Sequence, residues 1–215
     1  AWAAVREGHR ASAYLFEENV EIFLRRAAGL GVNLRPEIER KMCQLECFNP
    51  VELTPGEFTD HVCTDVEKHG TEIVLIDSIN GYLNSMPGER FLLMHLHGLL
   101  AYLRDRGVIV LLTVAQQGVL SDSESSTLAI TYLSDMVILL RYFEAAGAVR
   151  EAISVVKNRG GKHERHIREF GSGSNGFRVG KPLRGLQGVL RGVPIYGGQL
   201  DELMQAGPPE EDADA

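Results

Sequence analysis

Residues 72–77, Glu-Ile-Val-Leu-Ile-Asp, run four apolar residues into an aspartate, and Ser78 follows. A strand covered on both faces reads as a continuous apolar run and not as an alternating one. The run therefore predicts a buried parallel strand that delivers Asp77 to the rim of a sheet. Ligands of open α/β sheets sit outside the carboxyl ends of such strands. Asp and Ser also favour turns and helix starts, so capping of the next segment has an equal claim on this pair. The neighbouring segments decide.

Upstream, residues 13–16 read as a short apolar strand ending in Glu17-Glu18. A helical pattern through Ile22, Phe23, Leu24 and Ala27 follows and stops at Gly29-Leu-Gly31. Residues 1–7 read as the last turns of a helix ended by Gly8. Residues 40–48 form a second strand, the punctuation from Asn49-Pro50 to Pro55-Gly56 precedes a helix over about 57–68, and Gly70 stops it. Met86-Pro87-Gly88 opens the longest expected helix, in which Phe91, Leu92, His95, Leu96, Leu99, Leu100 and Leu103 recur at helical spacing up to Gly107. Residues 108–114 are another strand, apolar but for Thr113, expected to be buried on both faces, ending in Ala115-Gln116-Gln117-Gly118.

Strands alternating with helices imply βαβ crossovers, hence an α/β fold with a mostly parallel central sheet flanked by helices. The pattern then changes. After a Ser- and Thr-rich loop at 121–127, residues 136–143 and 148–157 predict an antiparallel hairpin added to the sheet through Glu144-Ala-Ala-Gly147. Residues 167–170 and 177–179 predict a smaller hairpin around a Gly- and Ser-rich turn. Residues 184–196, rich in Gly, are left unassigned.

A chain of 215 residues, 44% apolar, can remove roughly 70% of its unfolded surface from water, and one domain is expected over residues 1–198. The segment 199–215 ends in Glu210, Glu211, Asp212 and Asp214 with no basic residue, and is expected to be a disordered acidic tail. The net charge of -7 argues against a general nucleic-acid binder, which needs clustered Lys and Arg. No stretch approaches the ~20 apolar residues of a membrane helix, and the first residues do not resemble a secretory signal, so a cytoplasmic protein is expected. Cys43, Cys47 and Cys63 beside His61 invite a zinc reading. Positions 43 and 47 lie four strand steps of ~3.3 Å apart, too far for one tetrahedral ion, so reduced cysteines are expected instead.

Three expected strand ends carry Glu17-Glu18, Asp77-Ser78 and Gln116-Gln117, and a parallel sheet brings all of them to one edge. Such a set suits phosphoryl transfer: one carboxylate positions magnesium, another orients or deprotonates the attacking water, and an amide senses the terminal phosphate. Adjacent strand residues point to opposite faces, so only one glutamate should reach the water. Further on, Lys157 and Arg159 share a face at the end of the hairpin's second strand, a two-pronged cation able to grip an anion.

Phe16-Glu-Glu18, Val74-Leu-Ile-Asp-Ser78, the late Lys157-x-Arg159-Gly160-x-x-His163 and Ile167-Arg-Glu-Phe170 together resemble the ATPase domain of KaiC-like proteins, within the RecA-like group of P-loop ATPases. The likeness runs from the first residue to about Gly198, and its late motifs are the most specific part. It implies a RecA-like core with C-terminal antiparallel hairpins that binds Mg-ATP and hydrolyses it at the subunit interfaces of a homo-oligomeric, usually hexameric, ring in a signalling or regulatory role. By that likeness Glu17 and Glu18 are the catalytic pair and Asp77 the magnesium-positioning carboxylate. Ser78 and Gln116 line the nucleotide, and Lys157 and Arg159 reach a neighbour's γ-phosphate.

Two departures qualify the resemblance. The family's phosphate loop, G-x-x-x-x-G-K-[ST], is not found, and residues 1–7 match the far end of the helix that follows it. The chain is thus expected to be truncated and inactive alone, since backbone N–H groups of that loop cradle the phosphates. Some members also phosphorylate a Ser-Thr pair. Ser126-Thr127 is the nearest adjacent pair here, at a longer spacing to Ser134-Asp135 than the family pattern has. Two other functions compete: a nucleotide-independent signalling scaffold, and a RecA-type DNA recombinase. The second is disfavoured because the loop after Gln117 holds Asp122 and Glu124 and no Lys or Arg through Asp135.

Overall fold

A computed structural model describes residues 1–49, 53–85, 92–115, 132–145, 147–173, 176–191 and 195–196. The apolar run at 72–77 forms strand β3 (Ile73–Asp77), flanked in one parallel sheet by β1 (Ala11–Leu15) and β4 (Ile109–Leu112), with β2 (Cys43–Cys47) beyond β1. The order β2-β1-β3-β4 requires crossovers; α1 (Trp2–Arg6) precedes β1, and the connections are made by α2 (Val20–Gly29) with α3 (Arg35–Glu39), by α4 (Pro55–His69), and by α5 (Ile79–Ser85) with α6 (Leu92–Asp105). The chain divides into two compact units, Ala1–Ala115 with Ser174–Gly176, and Gln116–Gly173 with Phe177–Ala215.

Within the first unit the two sheet faces are covered differently. Ala11, Cys43 and Ile73 stand side by side in register, and Val5, Leu24 and Leu34 from or beside α1, α2 and α3 close over them. On the opposite face, Tyr14 pairs laterally with Glu46 and Ile76, under α4. There Phe58 from α4, fully buried, packs edge-on against Tyr14 at 5.7 Å and Phe16 at 5.2 Å. Helix α4 starts on a capping box, with Thr54 accepting from Glu57 N–H and the Glu57 carboxylate accepting from Thr54 N–H. It ends at Gly70 in the left-handed region, φ 64°. Leu92, Leu96, Leu99 and Leu103 form the buried stripe of α6.

The edge strand departs from expectation. Ile109 is 60% and Leu111 39% exposed on one face of β4, whereas the apolar run predicted burial on both. A continuous apolar run on an outer strand does not imply two covered faces.

The second unit is antiparallel: β5 (Met136–Ala145), β6 (Ala148–Asn158), β7 (Arg168–Gly173) and β8 (Gly176–Pro182) in that order. The two expected hairpins are there, but they form a sheet of their own and do not extend the parallel one. Phe143, Ala145 and Ala152 pack against Val189 of a 3-10 turn, Val189–Arg191, and the unassigned Gly-rich segment adds the small pair β9 (Leu186–Gln187) and β10 (Ile195–Tyr196). No described helix is long and apolar enough to cross a membrane. The tail 199–215 lies outside the described residues.

Because Phe58 fills the centre of the aromatic cluster, Phe58→Ala should lower unfolding free energy by about 3–5 kcal/mol, and Phe58→Leu by clearly less. Urea unfolding followed by circular dichroism reads both; equal effects of the two would show that the site collapses around the deletion.

Candidate functional site

Register decides what meets at the rim. Leu15 lies opposite Asp77, and the Phe16 N–H donates to the Asp77 carbonyl at 2.8 Å, so β1 and β3 end level and the chain leaves β1 directly beside the Asp77 carboxylate. Ser78, 3% exposed, donates its hydroxyl to Glu17 Oε2 at 2.9 Å and accepts the Gly81 N–H at 3.1 Å. Asp77 Oδ1 accepts from Thr113 Oγ1 at 2.6 Å, just past the end of β4. Arg26 of α2 pairs with Glu18 and stands 3.7 Å from Asp77 Oδ2. The Asp77–Ser78 peptide bond is cis.

These contacts bring Glu17, Glu18, Asp77 and Ser78 to one edge of the parallel sheet. β1 stops at Leu15, so strand alternation no longer separates the two glutamates: Glu17 reaches Ser78, while Glu18 reaches Arg26 and through it Asp77. Glu17 is the exposed member; the Glu18 side chain is only 18% exposed. Among the described residues, three carboxylates share one paired cation here. A set of hard oxygen donors with an unbalanced negative charge fits a magnesium ion.

Arg26, Thr113, Asn80 and Gly81 were not read from the sequence. Asn80 accepts the Ala115 N–H at 2.9 Å, tying the end of β4 to α5. Gly81 is where the chain needs no side chain: a Cβ there would stand 2.7 Å from Phe16 Cβ and 2.8 Å from Glu17 Cγ. The helical spacing of Arg26 and the Gly following an Asn were the signals available. Gln116 and the Ser126-Thr127 pair lie outside the described residues.

In the second unit Lys157 Nζ donates to the Ser134 carbonyl at 2.7 Å, and Arg159 Nη2 to the Tyr132 carbonyl at 3.0 Å. Both cations thus turn towards the segment that leads into β5, and Arg159 also lies 3.6 Å from Asp135. Beyond them Glu164 accepts from the Arg168 guanidinium and the His166 backbone N–H, which hold its carboxyl down at about 2. Arg168 also donates to the Gly180 carbonyl, Glu169 pairs with Arg150, and Phe170 stacks on Phe177 at 5.4 Å. The motif at 167–170 therefore builds the β7–β8 framework. Cys43, Cys47 and Cys63 form no disulfide, and burial pushes the Cys43 thiol up to about 11.

The chain is also similar in sequence to known proteins. The family model described as the KaiC ATPase matches residues 2–184. The circadian clock protein KaiC3 of Synechocystis sp. is 28% identical over 197 residues, 92% of this chain and 39% of that protein. The circadian clock oscillator protein KaiC of Thermostichus vulcanus is 21% identical over 88% of the chain, and that of Rippkaea orientalis 23% identical over 88%. The chain spans 36% of each of the latter two proteins, so it corresponds to well under half of the relatives it matches.

Gly81→Ala should displace Glu17 or Phe16 and cost about 1–3 kcal/mol. Gly98→Ala in α6, where a Cβ meets nothing within 4 Å, should instead be neutral or stabilise by about 0.5–1 kcal/mol. Denaturant midpoints of the two variants, measured side by side, check the contrast.

Proposed function

The chain belongs to the KaiC ATPase family, and from that premise we propose that it is the ATPase part of a longer protein that binds Mg-ATP at the Glu17–Glu18–Asp77–Ser78 rim. The convergence of Glu17, Glu18 and Asp77 at the carboxyl edge of a parallel sheet carries this reading, since it is where open α/β sheets place their ligands. Asp77, oriented by Thr113, holds the metal. When bound, Mg²⁺ neutralises charge on the terminal phosphates.

The protein's own groups then do the rest. The exposed Glu17, aimed by Ser78, or Glu18, aimed by Arg26, accepts a proton from the attacking water and holds it in line. Lys157 and Arg159, placed on one segment by the carbonyls of Tyr132 and Ser134, serve a neighbouring subunit's γ-phosphate, which makes the active form a homo-oligomeric ring. Gln116 completes the nucleotide contacts. The relatives named above are clock proteins, and a signalling or regulatory role, with Ser/Thr autophosphorylation as one form of output, is what we propose for the whole protein. A nucleotide-independent scaffold is the competing function.

In the full-length protein, Glu17→Gln with Glu18→Gln should lower ATP turnover by about 10² or more while sparing equilibrium binding of a non-hydrolysable analogue. Unchanged turnover removes the catalytic assignment; failure of the unaltered protein to bind the analogue favours the scaffold. Arg159→Ala should lower turnover as well. Mixing Arg159→Ala subunits with the Glu17/Glu18 double variant should restore part of it, and no recovery at any ratio argues against action across an interface.

A further inference from the structure

Away from the rim, on the sheet face under α4, ligand atoms from two elements converge. His61 and Asp65 lie one helical turn apart on α4 and so share a face. Glu46 of β2 stands in register with Tyr14 of β1, and both side chains rise towards that face. His61 Nε2 is 2.7 Å from Glu46 Oε2 and 3.8 Å from Asp65 Oδ2, and one ligand atom from each of the three residues lies within 4.8 Å of the others.

The arrangement has one donor position too few. His61 Nε2 is out of contact with solvent and makes no hydrogen bond of acceptable geometry despite these short distances. A ring nitrogen can offer one proton to one oxygen, yet two carboxylates face it, and Asp65 is only 5% exposed. Tyr14, fully buried, donates its hydroxyl to Asp65 Oδ2 at 2.9 Å, and His69 Nε2 sits 3.8 Å from Oδ1. Those neighbours orient the carboxylate without supplying a permanent positive charge. Phe48, 5.2 Å from the His61 ring, and Phe58 form an apolar wall around the group, as outer shells of metal sites commonly do. A cation between the three atoms satisfies all of them at once.

We propose that Glu46, His61 and Asp65 form a site for a first-row divalent transition-metal ion of the Zn²⁺ class, clamping β2 to α4. One imidazole nitrogen and two carboxylate oxygens are the mixed donor set such ions take, at about 2.0–2.2 Å each. Tetrahedral geometry separates such ligands by about 3.4 Å, so the three atoms reach it by side-chain adjustment alone. The site shares no residue with the rim, and it stands or falls independently of ATP hydrolysis.

Calorimetric titration of Zn²⁺ into the chelator-treated full-length protein should show a site lost or weakened about tenfold or more in His61→Ala and in Asp65→Asn, with His9→Ala, whose ring pairs with Glu72 outside the site, close to the unaltered protein. Glu46→Gln, at a half-exposed strand position, gives the same test should the helix variants fail to fold. Co²⁺ should bind with a visible spectrum free of a thiolate charge-transfer band. No Zn²⁺ binding by the unaltered protein, affinity unchanged in Glu46→Gln and Asp65→Asn, or a thiolate band would each overturn the assignment.

Discussion

The level pairing of β1 with β3 is the constraint on which the rim depends. Leu15 stands opposite Asp77, and the next amide, Phe16 N–H, still closes a ladder bond to the Asp77 carbonyl. A slip of one residue would turn every side chain of β1 over. Ala11 would leave the core beneath α1 to α3, Tyr14 would leave Asp65, and the glutamates would exit beside Ile76 instead of beside Asp77. Burial on both faces therefore fixes the register, and the register in turn fixes which polar groups meet.

Electrostatics at the rim follow from that placement. Glu18 and Asp77 would repel each other without Arg26 between them, and the pairing ties the last turn of α2 to the end of β3. Thr113 and Ser78 each donate to one carboxylate, so both acids are oriented by short side chains that are themselves anchored to strand ends. Gly81 lets α5 begin against Phe16 and Glu17. Preorganisation here is local: Asp77 and Glu17 are each held by a residue just past a strand's end, Thr113 and Ser78, while Glu18 is held by Arg26 of α2.

The sequence made much of this legible where burial dominates. The runs at 73–77 and 43–47 became strands within a few residues of their expected limits, and the capping pattern at Thr54 and Gly70 bounded α4. Physical reasons mark the rest. The exposed β4 face could not be told from a buried one, because residue type reports the preference for burial and not what covers the strand. The hairpins were recognised by their turns, but turn chemistry is local and does not say which sheet a hairpin joins. Helices α3 and α5 span 5 and 7 residues, too short for periodicity to show. His61 was weighed with the cysteines because they are near in sequence; the atoms it faces come from Glu46, on another element, and from Asp65, one turn along its own helix.

The late motif teaches a different lesson about resemblance. Residues 167–170 are among the most specific marks of the family, yet in the fold Arg168, Glu169 and Phe170 bind Glu164, Arg150 and Phe177, all framework partners. Glu164 is strongly acidic because Arg168 and the His166 N–H groups hydrogen-bond its carboxylate, and no ligand is needed to explain that. Such a motif identifies the architecture through the packing it requires. The chemistry rests on different grounds, on carboxylates and cations whose convergence any sheet of this topology could produce, and it is the geometry at Asp77, not the specificity of the late motif, that gives the functional proposal its weight.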